Sequence, residues 1–267
     1  MFKIIFGLLT LLSALCFYGA VYAVPLKIEI FGSYNNGCIR GAKAFEEGTG
    51  YQIQKWGPGR SYAHPDTIDY VHKLVAKAKK AGLPDLLIGD MSKRYGGPFG
   101  NGSSHGSHQI GLDVDISFDF ATPKKTEYQL ANPKDVYIVD TKQHRTANFS
   151  SDHVGLLYLA AQDSRVERIF VAPGIKRELC NLYKGQDTKW LRKLRPWFGH
   201  RGHFHVRLAC PSDSPFCKHQ KAVPEGDGCG EELQSWFKPP KPSDHTKPVK
   251  PPKKILPEQC NLVLQGK

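Results

Sequence analysis

The sequence predicts an α+β fold: a small, partly antiparallel sheet flanked by helices and long loops and tied by disulfides. Three observations carry this expectation. Short β-rich runs and two helix-like segments follow one another without the regular alternation of a parallel sheet. The 267 residues are 40% hydrophobic and 23% charged, a folded composition long enough to bury a core without a special staple. Six cysteines remain once an N-terminal leader is set aside, an even number that reads as three disulfides in an exported chain.

Residues 1–23 read as a signal peptide. Lys3 gives the positive start, Ile4 to Leu15 form an apolar run too short to span a bilayer, and Val21-Tyr22-Ala23 offers the cleavage site. Cys16 follows Leu15, where lipidation requires a small residue, so no lasting membrane insertion is expected after cleavage. Leu26–Phe31 reads as a first strand. Pro65–Ala81 sets Ile68, Val71, Leu74, Val75 and Ala78 on one helix face and stops at Gly82. Further strands are expected at Asp85–Asp90, Gly111–Phe118, Val136–Asp140, Arg168–Ala172 and His203–Leu208, with a second helix at Val154–Val166.

Residues 24–237 then form one expected domain. Lys238–Pro257 carries seven prolines and six lysines, which reads as an extended, solvated arm. The whole segment 238–267 is expected to be pinned to the body through Cys260. The formal net charge is +12, and the lysines of this arm make a large part of it. A basic surface on an exported chain suits anionic wall polymers; a nucleic-acid partner would rest on charge alone and is not expected.

Several familiar motifs fail on context. Arg94–Gly111 holds six glycines but runs into a strand and lacks the G-K-[ST] ending of a phosphate cradle. Gly102-Ser-Ser-His-Gly106 fits G-x-S-x-G without the strand before it and helix after it that a nucleophile elbow needs. Ser235-Trp-Phe-Lys238 fits S-x-x-K but abuts the proline-rich arm and has no K-T-G partner. No C-x-x-C and no H-E-x-x-H occurs, so neither a cysteine-ligated metal nor a standard glutamate base is expected.

Five of the eleven histidines fall in two short stretches, His105-Gly-Ser-His108-Gln-Ile-Gly-Leu-Asp113-Val-Asp115 and His200-Arg-Gly-His203-Phe-His205. Strand side chains alternate faces, so Asp113 and Asp115 share one face and His203 and His205 share another. The intervening Leu112, Val114, Ile116, Phe204, Val206 and Leu208 turn to a core. A polar face of this kind is costly to bury unpaired. Setting the two strands side by side brings imidazoles and carboxylates together, a metal site in outline. Two imidazoles and a carboxylate suit Zn²⁺ with a fourth position left for water, whereas Ca²⁺ and Mg²⁺ prefer all-oxygen shells.

The run Ser107-His-Gln-Ile-Gly-Leu-Asp-Val-Asp-Ile116, followed by His203-Phe-His205, resembles the lysostaphin/D-Ala-D-Ala metallopeptidase group and, more closely, the penicillin-insensitive murein endopeptidases. Ser33-Tyr-Asn-Asn-Gly-Cys38, Leu87-Ile-Gly-Asp90, Trp190–Phe198 and Gly226–Phe237 support the likeness, which covers about residues 30–260. The resemblance implies one zinc ion per chain held by His108, Asp115 and His205, with His203 as the catalytic histidine. It places His200 and His105 along the cleft, helping to bind substrate or transition state. It pairs Cys38 with Cys260, Cys180 with Cys229 and Cys210 with Cys217. The implied substrate is the D-alanyl–meso-diaminopimelyl cross-link of periplasmic peptidoglycan, cut without a β-lactam-sensitive serine. Asp113, one strand step from a ligand, is expected to orient a histidine. A D,D-carboxypeptidase with similar ligands and a non-catalytic wall-binding module are the alternatives.

Overall fold

The computed structural model describes residues 27–100, 103, 105–239 and 254–267. The leader, Leu26, Gly102, Ser104 and residues 240–253 of the arm lie outside the described residues. Strands β1 (Glu29–Ser33) and β2 (Asn36–Arg40) form an antiparallel hairpin. Then come β3 (Lys43–Ala44), β4 (Tyr51–Ile53) and β5 (Tyr62–Ala63), of which β3 and β5 pair. Helix α1 (Pro65–Lys80) leads to β6 (Leu86–Ile88), and the glycine-rich loop leads to β7 (Asp113–Phe120). The chain continues through α2 (Glu127–Ala131), α3 (Ser151–Ala161), β8 (Val166–Val171) and α4 (Pro173–Leu182). A 3-10 turn at Lys189–Lys193 precedes β9 (Leu194–Pro196) and β10 (His203–Leu208). Short helices α5 (Glu231–Ser235) and α6 (Cys260–Val263) follow.

Six strands make the main sheet, in the order β4-β6-β7-β10-β8-β9. The three central pairings are antiparallel and the two outer ones parallel, the mixed sheet that the sequence predicts. Leu112, Val114 and Ile116 from the β7 region and Phe204, Val206 and Leu208 from β10 are all buried. They share one core with Tyr70, Val71 and Leu74 of α1 and Leu156, Leu157 and Ala160 of α3. Each such side chain contributes about 1.5–3 kcal/mol on leaving water. The apolar half of each alternating strand therefore anchors the polar half.

Helix α1 starts where Pro65 takes the first position and the His64 ring accepts from the Asp66 amide at 3.1 Å. It ends as expected before Gly82, whose φ of +76° favours glycine. The second helix begins and ends earlier than Val154–Val166. Ser150 and His153 form a capping box at its start, and past Gln162 the Asp163 carboxylate accepts from the Arg165 amide at 2.9 Å, turning the chain into β8. The run Val136–Asp140 is not a strand. Only Val139 makes a bridge, to Arg145, because Asp140 closes a turn through both its backbone N–H and its side chain to His144. Among the described residues no helix is long and apolar enough to cross a membrane.

Three disulfides join Cys38 to Cys260, Cys180 to Cys229 and Cys210 to Cys217, the pairing the resemblance implies. The first closes a loop of 222 residues, worth about 5 kcal/mol in the chain-entropy picture. It brings the C-terminal segment 254–267 back onto the β1–β2 hairpin, where Asn36 donates to the Ile255 carbonyl at 2.8 Å.

Candidate active site

Strands β7 and β10 pair with His205 opposite Asp115, Arg207 opposite Asp113 and His203 opposite Ser117. Register alone therefore brings two carboxylates to two imidazoles on one face of the sheet. The Nδ1 of His205 lies 3.2 Å from Asp115 Oδ1 and its Nε2 2.9 Å from Asp113 Oδ1. Asp113 is fully buried and receives Arg207 through Nε at 2.7 Å and Nη2 at 3.2 Å. Burial alone would raise the Asp113 pKa, but Arg207 and His205 outweigh it and hold the carboxyl far below the usual range. Asp115 is also held well below that range, its burial being outweighed by His108 and His203. Burial pulls His205 down, but the two aspartates reverse it and leave its pKa raised.

The glycine-rich loop supplies the remaining imidazoles. His108 is fully buried at the left-handed φ of +66°, a strained place for a non-glycine residue. Its own N–H donates to Asp113 Oδ2 at 2.9 Å, which ties the loop to the strand. The His108 Nε2 stands 3.3 Å from Asp115 Oδ2, and the His108 and His205 rings lie 4.5 Å apart, edge to face. His105 is half-buried between carboxylates, Nδ1 3.6 Å from Asp115 Oδ2 and Nε2 3.4 Å from Asp90 Oδ2. Burial lowers its pKa to about 4 against the pull of Asp115. His203, half-buried, has Nε2 3.9 Å from Asp115 Oδ1. The His200 ring lies tilted at 5.1 Å from the His203 ring, and burial beside His203 and His205 lowers its pKa to about 3.

Every site residue expected from sequence thus lies in one cluster around Asp115. Three participants were not foreseen. Arg207 shares the His203–His205 face by the same alternation of two, so the strand pattern could have revealed it. Asp90, just past β6, is buried with a raised pKa, from burial and from Asp115, and pairs with Arg60 at 2.9 Å. Arg60 in turn lies 4.4 Å over the Phe99 ring, a contact between distant segments that no local pattern signals.

The cluster fits a cation. Both ring nitrogens of His108, the Nε2 of His205 and the Oδ1 oxygen of Asp115 are buried without a hydrogen-bond partner, a costly state that a metal taking one lone pair from each residue would relieve. The ligand atoms of His105, His108 and Asp115 all converge within 4.8 Å, which puts His105 closer to the centre than the sequence suggests. His205 Nδ1 approaches that same Asp115 Oδ1, and its far nitrogen lies 2.9 Å from Asp113 Oδ1.

A mixed sheet thus presents clustered imidazoles and carboxylates to an open cleft, an arrangement suited to hydrolytic chemistry. The sequence profile of the penicillin-insensitive murein endopeptidases matches residues 30–265. The chain is 46% identical over 245 residues to the penicillin-insensitive murein endopeptidase of Haemophilus influenzae, covering 90% of this chain and 84% of that protein. It is also 46% identical over 246 residues to those of Salmonella newport and Salmonella typhi, covering 91% of this chain and 88% of each relative. The chain belongs to the penicillin-insensitive murein endopeptidase family.

Proposed function

We propose that this murein endopeptidase is a periplasmic zinc enzyme that hydrolyses the D-alanyl–meso-diaminopimelyl cross-links of peptidoglycan. His108, Asp115 and His205 hold the ion in this reading. The observation that carries it is the buried, unpartnered state of the His108 ring nitrogens and Asp115 Oδ1. Burial and orientation favour His205 over His105 as the third ligand: its side chain is 5% exposed and steadied by Asp113, while His105 is 25% exposed on a loop. A zinc ion held there would supply Lewis acidity and ease deprotonation of the attacking water near neutral pH.

The chain's own groups do the rest. His203 takes the proton given up by the attacking water and returns it to the departing amine, work that suits a half-exposed imidazole facing Asp115. His200 and His105 line the cleft, where they bind the peptide and stabilise the oxyanion as donors. Asp113 acts through His205, and Arg207 keeps Asp113 ionised. No serine nucleophile takes part, so penicillin should not inhibit.

The test is digestion of purified cross-linked muropeptide dimers by the mature protein, read by mass spectrometry with chelator or penicillin added. Dimers should become monomers with penicillin present and stay intact with chelator. Intact dimers alongside pentapeptides that lose D-alanine would make the enzyme a carboxypeptidase instead.

A further inference from the structure

Two cavities flank the histidine cluster and share His105, Gly199 and His203, yet they differ in charge. The smaller, about 350 Å³, has Asp90, Asp115 and Asp135 in its lining, with Arg60 as its one lysine or arginine. The larger, about 580 Å³, has Arg168, Arg207 and Lys254 and, among the described residues, no carboxylate, with Phe170, Trp197 and Phe198 as apolar wall.

These cations are not equally free. Arg207 is committed to Asp113. Arg168 donates through Nη2 to the Lys221 carbonyl at 2.6 Å, with Glu167 at 3.5 Å, but its buried Nε has no partner. Lys254 is exposed, and among the described residues its Nζ reaches the Asn35 carbonyl alone, at 3.4 Å. Lys254, with Arg168 only partly engaged, therefore gives one end of the cleft its cationic character. At the other end Arg60 is taken by Asp90, leaving exposed Asp135 bonded, among the described residues, only to the neutral Tyr137 hydroxyl, at 3.0 Å.

The proposed substrate is polar in the same sense. The amide nitrogen to be released belongs to a diaminopimelyl carbon that also carries a free carboxylate, two bonds from the scissile nitrogen. The acyl side presents D-alanine preceded by a diaminopimelate whose side chain ends in a free ammonium as well as a carboxylate. An anion beside the leaving nitrogen is drawn to Arg168 and Lys254 and repelled by Asp90 and Asp135. We infer that this charge asymmetry sets the direction of binding: the amine-side carboxylate docks in the cavity of Arg168 and Lys254, and the acyl side lies along the cavity of Asp90 and Asp135. The inference rests on the proposed cross-link substrate. It makes Lys254, carried by the segment that the Cys38–Cys260 bridge returns to the body, a specificity residue.

The experiment compares cross-linked dimers bearing a free amine-side diaminopimelate carboxylate with dimers in which that carboxyl is amidated. Amidation should lower kcat/KM of the wild-type protein by roughly tenfold or more, chiefly through KM, as expected for a lost charge-assisted hydrogen bond. The surface variant Lys254→Gln should lose several-fold of this discrimination, and adding Arg168→Gln should abolish it. Asp135→Asn should keep it. Arg168→Gln also gives up a backbone contact, so Lys254→Gln alone decides if the double variant does not fold. Calorimetric binding of the amine-side product and its amide makes the same comparison without turnover. Equal handling of acid and amide by the wild-type protein overturns the assignment, as does discrimination lost in Asp135→Asn but kept in Lys254→Gln. Failure to cleave either dimer removes the proposed reaction, while the binding comparison still decides the direction.

Discussion

The strand β10 and the glycine-rich loop 94–111 each bring two histidines to the same carboxylate, and they do so by different means. In β10 the pleat and the ladder to β7 place His203 and His205, with Phe204 and Val206 buried behind them. In the loop nothing repeats. Gly96, Gly97, His108 and Gly111 all take positive φ, and the turns are held from outside by Tyr34, Asp113 and Leu264. The strand is a local consequence of sequence; the loop is a consequence of everything packed around it. Perturbing one should therefore remove chemistry while the fold persists, and perturbing the other should loosen geometry first.

The largest expected effect separates the two suppliers of the metal set. His205→Ala should purify with no bound metal, measured by elemental analysis, while His105→Ala should keep it. The reverse result would move the third ligand from the strand to the loop. Next in size, His203→Ala should retain full metal and lose roughly 10²–10⁴-fold in turnover of muropeptide dimers. Metal lost equally from His203→Ala and His205→Ala would erase the division of labour within β10.

A smaller effect tests the loop. A Cβ on Gly96 would overlap the Gln109 carbonyl, and its φ of +69° is unfavourable for alanine. Gly96→Ala should cost about 1–3 kcal/mol, seen as faster hydrogen exchange across 96–111 with β10 amides still protected. Equal deprotection of β10 would show that loop and strand open as one unit.

The smallest expected effect lies outside both regions and gives a reference for global unfolding. Lys176 in α4 is fully buried and donates to the carbonyls of Leu191 at 2.6 Å and Asp227 at 2.5 Å. Burial, helped by nearby Arg195, lowers its pKa to about 7. The unfolded chain then binds more protons between pH 7 and the ordinary lysine range, so this residue makes stability rise with pH across that window. Denaturant titrations should show a slope of at most about 1.4 kcal/mol per pH unit from this source, absent in Lys176→Met.

The same contrast explains what could be read in advance. His203–Leu208 was legible to the residue, and β7 to within two, because alternation of apolar and polar side chains is a local signal. The cluster around Asp115 followed from those two strands. Asp90 and Arg60 were missed because a lone carboxylate after a short strand acquires its meaning only from a neighbour thirty residues away. The helix α4 was missed too; its apolar face at Ile175 and Leu179 is short and carries the buried Lys176 between them. The failed strand at Val136–Asp140 had the right composition but lost its ladder to the Asp140–His144 turn.

The bridge from Cys38 to Cys260 also governs timing. It sets Leu264 against Gly97 and carries Lys254 to the rim of the cleft. Both contacts come from residues synthesised more than two hundred positions after the hairpin they complete. A chain still emerging, or one whose thiols remain reduced, lacks that clamp on the histidine-bearing loop. The placement of Leu264 and Lys254 is therefore coupled to a covalent bond that forms only when both thiols are oxidised.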